Sequence, residues 1–335
     1  MKKIKFNTKS IINWIKYAAL TLILSGSLVS LVIFTLDIYA KRVLNLGEPI
    51  VYDSHDLWGY TPRENRIYKR FNGNIVTINN IGARSLKNWN DNGNNVIFIG
   101  DSITYGGSYI NDDQTFASLS CLKIQNWTCH NVGVNGYGIL NMVARSRYDK
   151  RISTAPLRVF TFISSDFDRG LSDSNTAHFI LREPPRLLSG LWEIINFVAA
   201  RATITPKKWF GKKPDIKDIN LLEDAKILKR KFARDILVME LQRLEQNGLK
   251  FILVHSPTIN ELQNPKLIED NLIITELSKS YNDRFIFLSD ALLDHYEKND
   301  ELIFKDNAHY EENGHLLVSK YLSPFIYKMT QDFKK

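Results

Sequence analysis

The stretch "NNVIFIGDSITYGG", residues Asn94–Gly107, gives the clearest indication of the fold in this sequence. Four consecutive apolar residues, Val96–Ile99, are typical of a short strand buried on both faces of a sheet. The apolar run ends at Gly100, and a serine, Ser102, follows two residues later. In parallel sheets functional residues gather at the carboxyl ends of the strands, so this ending predicts that Ser102 lies at such an edge.

Further apolar, strand-like segments follow this one, and helix-like segments separate them. The predicted strands are Val96–Ile99, Thr128–Val132, Leu157–Ile163, Leu249–His255 and Arg284–Leu288. Residues 221–246 repeat apolar side chains at helical spacing, which indicates a helix with one buried face. Strands that alternate with helices form a parallel sheet with helices on both faces. We therefore expect a three-layer α/β/α domain over residues 95–330.

The composition is that of an ordinary globular protein, and its positive charge is concentrated at one end. The chain has 335 residues, 44% of them hydrophobic and 24% charged, with a net charge of +8. Five positive charges come from lysines near the N-terminus: Lys2, Lys3, Lys5, Lys9 and Lys16. The remaining sequence has no basic stripe interleaved with aromatic residues, so no nucleic-acid partner is expected.

An uncharged segment follows these lysines. Residues 17–36, "YAALTLILSGSLVSLVIFTL", are long enough to form a membrane-spanning helix, because a helix of about 20 apolar residues spans a bilayer core. A cleaved signal peptide is the alternative, but its apolar region has about 7–15 residues and ends at a small-residue cleavage site. We expect a single-pass protein of the inner or plasma membrane. The positive-inside tendency predicts residues 1–16 in the cytoplasm and the remainder of the chain outside it.

Two regions lie outside the strand–helix repeat. In residues 37–94, β-forming residues flank Asn72-Gly73, a dipeptide typical of hairpin turns, and this predicts a small β-rich lead-in. Residues 170–218 contain prolines, a basic run and several aromatic residues within one long connection. A connection this long is either functional or disordered. We interpret it as a partly helical insertion, a lid or a membrane-surface contact, with a solvated loop as the alternative.

The sequence contains two cysteines, Cys121 and Cys129. The first falls near the end of a predicted helix, about residues 114–124, and the second lies on the strand that follows. A domain outside the cytoplasm meets conditions in which disulfides form, and a ring this small would contribute at most about 2.5 kcal/mol. A disulfide and two buried thiols are both compatible with this spacing.

A serine hydroxyl is a poor nucleophile until a base takes its proton, so Ser102 requires a partner. Near the C-terminus the sequence "FKDNAHYEENGH" places Asp306 three residues before His309, just before a predicted helix over Glu311–Met329. On a loop, this spacing lets the carboxylate accept a hydrogen bond from imidazole Nδ1–H and leaves Nε2 free to act as a base. These three residues predict a nucleophile with an oriented base.

Three motifs resemble those of one enzyme family, the SGNH (GDSL) hydrolases. Gly100-Asp101-Ser102 resembles the first block of the family, and "NVGVNGYG", Asn131–Gly138, is similar to its glycine block. Asp306-x-x-His309 resembles the last block, and the order and spacing of all three agree with the family. The sequence "NNIGARS" in the lead-in also resembles membrane-anchored members that handle acyl groups on cell-envelope polysaccharides.

The resemblance implies a role for each matching residue. Ser102 would be the nucleophile, and Asp306 and His309 would complete the triad. The backbone N–H groups of Ser102 and Gly133 would point into the oxyanion hole. Within the motifs, Gly100, Asp101, Asn131 and Asp166 would support the site.

One position departs from the family pattern. The third block of the family ends in Asn-Asp, with the asparagine amide as an oxyanion donor, whereas this chain reads Ser164-Ser165-Asp166. Ser165 occupies the asparagine position. A hydroxyl can donate one hydrogen bond but is shorter than an amide, so it would reach the oxyanion only through water or a shifted backbone.

Other motifs are missing, and other histidines have simpler interpretations. The sequence has no phosphate-binding P-loop and no H-E-x-x-H zinc motif, so neither a cofactor nor a metal is expected. His315, on a predicted helix, is interpreted as a structural or surface residue. His255, at a strand end, is interpreted as a packed histidine, with a substrate contact as the alternative.

The residues and the resemblance together predict a serine esterase or O-acyltransferase. It would act through an acyl-enzyme on O-acyl groups, acetyl above all, of a cell-envelope polysaccharide. Its partners would be the acylated carbohydrate, the bilayer around residues 17–36 and, for transfer, a membrane protein that donates the acyl group. The rival hypothesis is a non-catalytic protein of the same fold that binds or assembles envelope glycans.

Overall fold

The computed structural model of the chain describes residues 8–70, 72–122, 124–172, 182–210, 216–299 and 303–334. The first seven residues, with three of the N-terminal lysines, lie outside the described part. So do residues 173–181 and 211–215 of the predicted insertion.

The chain begins with a long helix and two β-hairpins. These elements are α1 (Thr8–Arg42), β1 (Tyr52–His55), β2 (Gly59–Pro62), β3 (Arg66–Lys69) and β4 (Ile75–Ile78). The predicted turn at Asn72-Gly73 joins β3 to β4, and Gly73 has the positive φ, 91°, for which glycine is favoured there. Both hairpins are antiparallel, as expected of a β-rich lead-in.

The remaining chain alternates strands with helices. Its strands are β5 (Asn94–Gly100), β6 (Trp127–Asn131), β7 (Leu157–Phe162), β8 (Lys250–His255) and β9 (Phe285–Phe287). Its α-helices are α2 (Ser102–Tyr105), α3 (Phe116–Ser120), α4 (Ile139–Tyr148), α5 (Ser189–Phe210), α6 (Ile216–Gln246), α7 (Ile259–Gln263), α8 (Lys266–Glu269), α9 (Leu272–Ser280), α10 (Leu288–Asn299) and α11 (Glu312–Gln331). Short 3₁₀ helices cover Asp112–Gln114, Ser164–Phe167 and Asp332–Lys334.

The five strands β5–β9 form one parallel sheet in the spatial order β6-β5-β7-β8-β9. The chain leaves β5 toward one side to form β6 and then crosses back to form β7. The carboxyl end of β5 is therefore a topological switch point, where the connections diverge and leave a crevice. Ser102 directly follows this end of β5.

Side chains that alternate along the strands form two hydrophobic cores, one on each face of the sheet. Ile97 and Ile99 of β5 face a core that includes the lead-in, α4, α6 and α9. Val96 and Phe98 face a second core with α3, α10 and α11. This period of two is that of a pleated strand. The three layers confirm the predicted α/β/α fold.

The lead-in packs on the edge of this sheet. The N–H of Arg84 donates to the carbonyl oxygen of Asn131 on the edge strand β6 over 2.8 Å, and Arg84 also bridges to Ile78 of β4. Tyr60 and Val76 are fully buried in the core that includes α4 and α6. The lead-in therefore shares the hydrophobic core of the α/β/α domain.

Within the described part of the chain, one helix is long and apolar enough to cross a membrane, Ile12–Arg42 of α1, and its most apolar window is not buried. Helix α5, in the predicted insertion, packs against the C-terminal end of α1. A Cβ on Gly190 would lie 3.0 Å from Ala40 Cβ, and the N–H of Leu191 donates to Asp37 Oδ1 over 3.0 Å. The described part of the insertion is thus largely helical.

Cys121 and Cys129 form a disulfide with Cα atoms 5.8 Å apart. Cys121 is the C-terminal cap of α3, and Cys129 lies on β6. Helix α3 is shorter than the predicted helix over residues 114–124, because Thr115 caps its start and the helix already ends at Ser120. The bond therefore joins a helix end to the edge strand.

Candidate active site

Ser102, the candidate nucleophile, lies at a tight turn between β5 and α2. Asp101 caps the helix, and its Oδ1 accepts the N–H of Ile103 over 2.9 Å. A Cβ at Gly100 would lie 2.0 Å from Thr104 Oγ1 and 2.6 Å from the carbonyl oxygen of Thr161, so only glycine fits. The turn leaves Ser102 half-buried at the first position of α2.

His309 connects Ser102 with Asp306. His309 Nε2 lies 2.7 Å from Ser102 Oγ, and His309 Nδ1 lies 2.8 Å from Asp306 Oδ2. An ionised carboxylate can only accept, so Nδ1 carries the hydrogen and Nε2 accepts the serine proton. The hydrogen bonds thus run from serine to imidazole to carboxylate, in the order that general-base activation requires.

Asp306 remains ionised in this arrangement. Partial burial raises its pKa, but the N–H groups of Ala308 and His309 and the His309 ring all donate to it and outweigh burial. The two backbone hydrogen bonds measure 3.0 and 2.9 Å. The net result is a carboxyl pKa below its ordinary value, so the group stays charged at neutral pH.

The loop that carries His309 is fixed on both sides. Its own backbone closes through the N–H of Lys305, which donates to the carbonyl oxygen of His309 over 2.8 Å. The neighbouring Tyr310 is buried, and its hydroxyl lies 2.6 Å from Ser256 Oγ after β8. Tyr109 donates to the carbonyl oxygen of Tyr310 over 2.8 Å. These contacts fix the His309 loop to the segment after β8 and to the loop after α2, and they thereby hold His309 beside Ser102.

In the glycine block, Asn131–Gly138, the N–H of Gly133 does not point into an oxyanion hole as the resemblance implied. The N–H of Gly133 donates to Asn131 Oδ1 over 3.0 Å and is not free for an oxyanion. A Cβ on Gly133 would lie 2.5 Å from the backbone nitrogen of Tyr105, so this glycine is needed for close packing against α2. Asn131 also donates to the carbonyl oxygen of Thr104 over 2.6 Å, and it thereby connects the end of β6 to helix α2.

Two other N–H groups remain available. Among the described residues, no acceptor takes the N–H of Ser102 or of Gly136. Gly136 has φ of 79° in the turn directly after β6. The same segment runs beside β5, because Val134 N–H donates to the carbonyl oxygen of Gly100 over 3.0 Å. Sequence reasoning missed Gly136, whose only signal is a second glycine in the same block.

Ser165 is exposed in the 3₁₀ helix after β7, and its hydroxyl has no hydrogen-bond partner among the described residues. The next residue, Asp166, is fully buried, and its Oδ2 accepts the N–H of Ile163 over 3.1 Å. Burial, together with the nearby carboxylate of Asp101, raises the pKa of Asp166 well above its ordinary value. Asp166 thus supports the loop that presents Ser165.

Two arginines that contact the loops of the site were also missed from the sequence. The Arg84 guanidinium donates to the carbonyl oxygens of Tyr105 and Ile110 over 3.0 and 2.7 Å and pairs with Asp112. It therefore holds the loop that follows α2. Arg169 lies 2.8 Å from Asp166 and 3.3 Å from Asp101. In the sequence, Arg84 could have been noticed as the arginine of "NNIGARS", and Arg169 only from its position three residues after Asp166.

The remaining histidines of this region are buried. His315 Nδ1 accepts the N–H of Phe116 over 3.2 Å, and burial lowers the pKa of His315 to about 3. His255 Nε2 lies 3.1 Å from Ser164 Oγ, and burial lowers its pKa to about 4. Within the described residues, no three His, Cys, Asp or Glu side chains are grouped as metal ligands.

No protein-family model and no curated protein sequence matches the chain. Several solved structures are similar. A lipolytic protein of the G-D-S-L family from Veillonella parvula is 14% identical, with 68% of this chain and 95% of that chain covered and a TM-score of 0.39. An acetyl xylan esterase is 16% identical over 69% of this chain and 99% of that chain, with a TM-score of 0.41. A lipase/acylhydrolase from Enterococcus faecalis is 13% identical over 70% and 95%, with a TM-score of 0.41.

Proposed function

We propose that the protein is a serine esterase or O-acyltransferase of the SGNH type that acts through an acyl-enzyme. The observation that supports this proposal is the chain of hydrogen bonds from Ser102 through His309 to Asp306 at the carboxyl edge of the sheet. The partly buried serine lies at a switch point, where substrates of open α/β sheets bind.

In the proposed reaction, Ser102 Oγ attacks the ester carbonyl while His309 Nε2 takes the serine proton. The carbonyl oxygen becomes an oxyanion, which the N–H groups of Ser102 and Gly136 stabilise directly, while the shorter Ser165 hydroxyl contributes only through water. Collapse breaks the bond to the leaving alcohol, which receives the proton from His309, and leaves an acyl group on Ser102. Water or a sugar hydroxyl then attacks the acyl-serine, again with His309 as base, and Ser102 is regenerated.

The proposed substrate is an O-acetyl or similar O-acyl group on a cell-envelope polysaccharide. The motif resemblance and the apolar helix α1 support this choice, because an anchored domain outside the cytoplasm meets envelope glycans. We propose that α1 is a retained anchor with the N-terminus in the cytoplasm. Transfer would in addition require an acyl donor supplied by a membrane partner, whereas hydrolysis requires only water.

Labelling with a fluorophosphonate tests the catalytic proposal. We expect labelling of the full-length protein, none of Ser102→Ala, and hydrolysis of an aryl acetate by the unmodified protein alone. An unlabelled, inert protein would favour the non-catalytic glycan-binding function. Adding a glycan acceptor to the ester assay separates the two reactions, since a transferase forms acylated glycan at the expense of free acetate.

Protease added to intact spheroplasts tests the topology. If α1 is an anchor with a cytoplasmic N-terminus, the protease digests the domain that follows Arg42 and spares a tag on the N-terminus. Protection of the domain in intact spheroplasts, with digestion only after lysis, would contradict this orientation.

A further inference from the structure

Arg169 contacts the loops that follow three neighbouring strands. Its Nη1 atom lies 3.3 Å from Asp101 Oδ2, 2.8 Å from Asp166 Oδ1 and 2.7 Å from the carbonyl oxygen of Tyr137. These acceptors follow β5, β7 and β6, which are adjacent in the sheet. One nitrogen atom therefore joins all three loops.

Each acceptor residue is the direct sequence neighbour of a proposed oxyanion donor. The pairs are Asp101 with Ser102, Tyr137 with Gly136, and Asp166 with Ser165. Adjacent residues are joined through the backbone, so a displacement of the acceptor residue also displaces the donor residue beside it. The guanidinium thus contacts the sequence neighbour of every proposed donor.

Two of these acceptors belong to buried carboxyl groups, and the contact with Asp166 Oδ1 is an ion pair without a hydrogen bond. Asp101 and Asp166 are 1% and 0% exposed, and a buried carboxylate without a cation is costly. The two carboxylates share this one guanidinium, whose own side chain is 31% exposed. A Cβ on Gly138 would lie 2.5 Å from Arg169 Cβ, so the glycine block lies directly against this residue.

We propose that Arg169 is a positioning residue that sets the distances among the oxyanion donors, an inference that rests on the proposed esterase function. None of its contacts among the described residues is to Ser102, His309 or Asp306, so it acts on the reaction only through the loops. The planar guanidinium fixes the directions of the two Nη1–H bonds, whereas a lysine ammonium rotates freely on a flexible chain.

The test measures kcat and KM for an aryl acetate and the melting temperature of full-length Arg169→Met and Arg169→Lys. Arg151→Met is the matched control, because Arg151 also joins two carboxylates, Asp149 and Glu64, and the carbonyl oxygen of Asn80. We expect Arg169→Met to lower kcat about 10²–10³-fold with KM changed less than about threefold, since misaligned donors are lost only in the transition state. Arg151→Met should keep kcat within about threefold of wild type.

Arg169→Lys separates charge from geometry. We expect it to restore most of the melting temperature lost in Arg169→Met while kcat stays at least about tenfold low, because charge alone does not align three loops. If Arg169→Met does not fold, the kcat of Arg169→Lys alone tests the inference. Wild-type kcat in Arg169→Lys, or an equal loss in Arg151→Met, would overturn the inference. An inert wild-type protein would instead refute the esterase proposal, and the inference with it.

Discussion

Two serine–histidine–carboxylate arrangements lie at the same edge of the sheet, and they differ in the order of their hydrogen bonds. In the first, His309 lies between Ser102 and Asp306. In the second, Ser164 lies between a histidine and a glutamate. Its Oγ is 3.1 Å from His255 Nε2 and donates to Glu261 Oε1 over 2.5 Å. The same types of side chain therefore form two different networks.

The difference shows what activates a serine. A hydroxyl has one proton, and Ser164 gives it to a carboxylate, so His255 must donate its Nε2–H to the serine rather than accept from it. His255 Nδ1 is then buried without a partner among the described residues. His309, by contrast, has both ring nitrogens hydrogen-bonded and is 32% exposed. The order of hydrogen bonds and access to solvent distinguish the candidate base from the packed histidine.

The largest expected effect separates the two serines. Ser102→Ala should lower kcat for an aryl acetate by on the order of 10⁴-fold or more, because nucleophile and base act as a unit. Ser164→Ala should keep kcat within about tenfold but lose about 1–3 kcal/mol of stability, since Glu261 and His255 lose a partner. Steady-state kinetics and urea unfolding measure both. Equal losses of activity in the two variants would contradict the distinction.

The histidine of the first arrangement should not act independently of its serine. His309→Ala should lower kcat about as far as Ser102→Ala, and the double variant should be no slower than either single variant. The comparison of the three variants in one ester assay checks this. A double variant whose loss is the product of the single losses would show that His309 does not act as the base for Ser102.

The second arrangement should be visible in the pH dependence of stability. His255 has a folded pKa of about 4, below the value of 6.5 for a free histidine, because burial disfavours its charge. Its contribution to stability is therefore complete above pH 6.5 and is lost as the pH falls toward 4. In His255→Gln, the fall in unfolding free energy between about pH 6 and 5 should be shallower by about 1.4 kcal/mol per pH unit. An unchanged slope would show that His255 does not remain neutral in the folded protein.

The smallest expected effect concerns the serine next to Ser164. Restoring the longer amide in Ser165→Asn should raise kcat for an aryl acetate about tenfold, since a lost oxyanion donor costs about 10²–10³-fold and an exposed site leaves room for the amide. Ser165→Ala is the control and should change kcat less than about threefold if the hydroxyl does not reach the oxyanion. If Ser165→Asn folds normally and is slower, the serine is an adapted donor or a substrate contact.

Much of the fold was predictable because it depends on local patterns. The strand that contains Val96–Ile99 was found as β5, and the helical spacing of residues 221–246 corresponds to α6, which begins earlier, at Ile216. The predicted helix over residues 114–124 was too long, since it extends only from Phe116 to Ser120. The Asp-x-x-His spacing predicted a carboxylate–imidazole contact correctly, because both residues lie in one loop and the contact depends on no other part of the chain.

The glycine block shows where sequence reasoning stopped. Gly133 and Gly136 are identical in type and three residues apart, but the N–H of the first is bonded to Asn131 while the second has no acceptor among the described residues. Which amide is free depends on how β6 packs against α2. No local pattern encodes that packing.

Local sequence patterns were sufficient to predict the alternation of strands and helices, the apolar helix α1 and the residue types of the candidate triad. These follow from periodicity, length and spacing, which are properties of neighbouring residues. The contact between Ser102 and His309, which lie 207 positions apart, and the contacts of Arg169 with three loops depend on the folded chain. Such contacts depend on the order of the strands in the sheet, because it brings distant carboxyl ends to one edge. The same reason explains why Ser164 and His255, also serine and histidine, form a packed network rather than a second base and nucleophile.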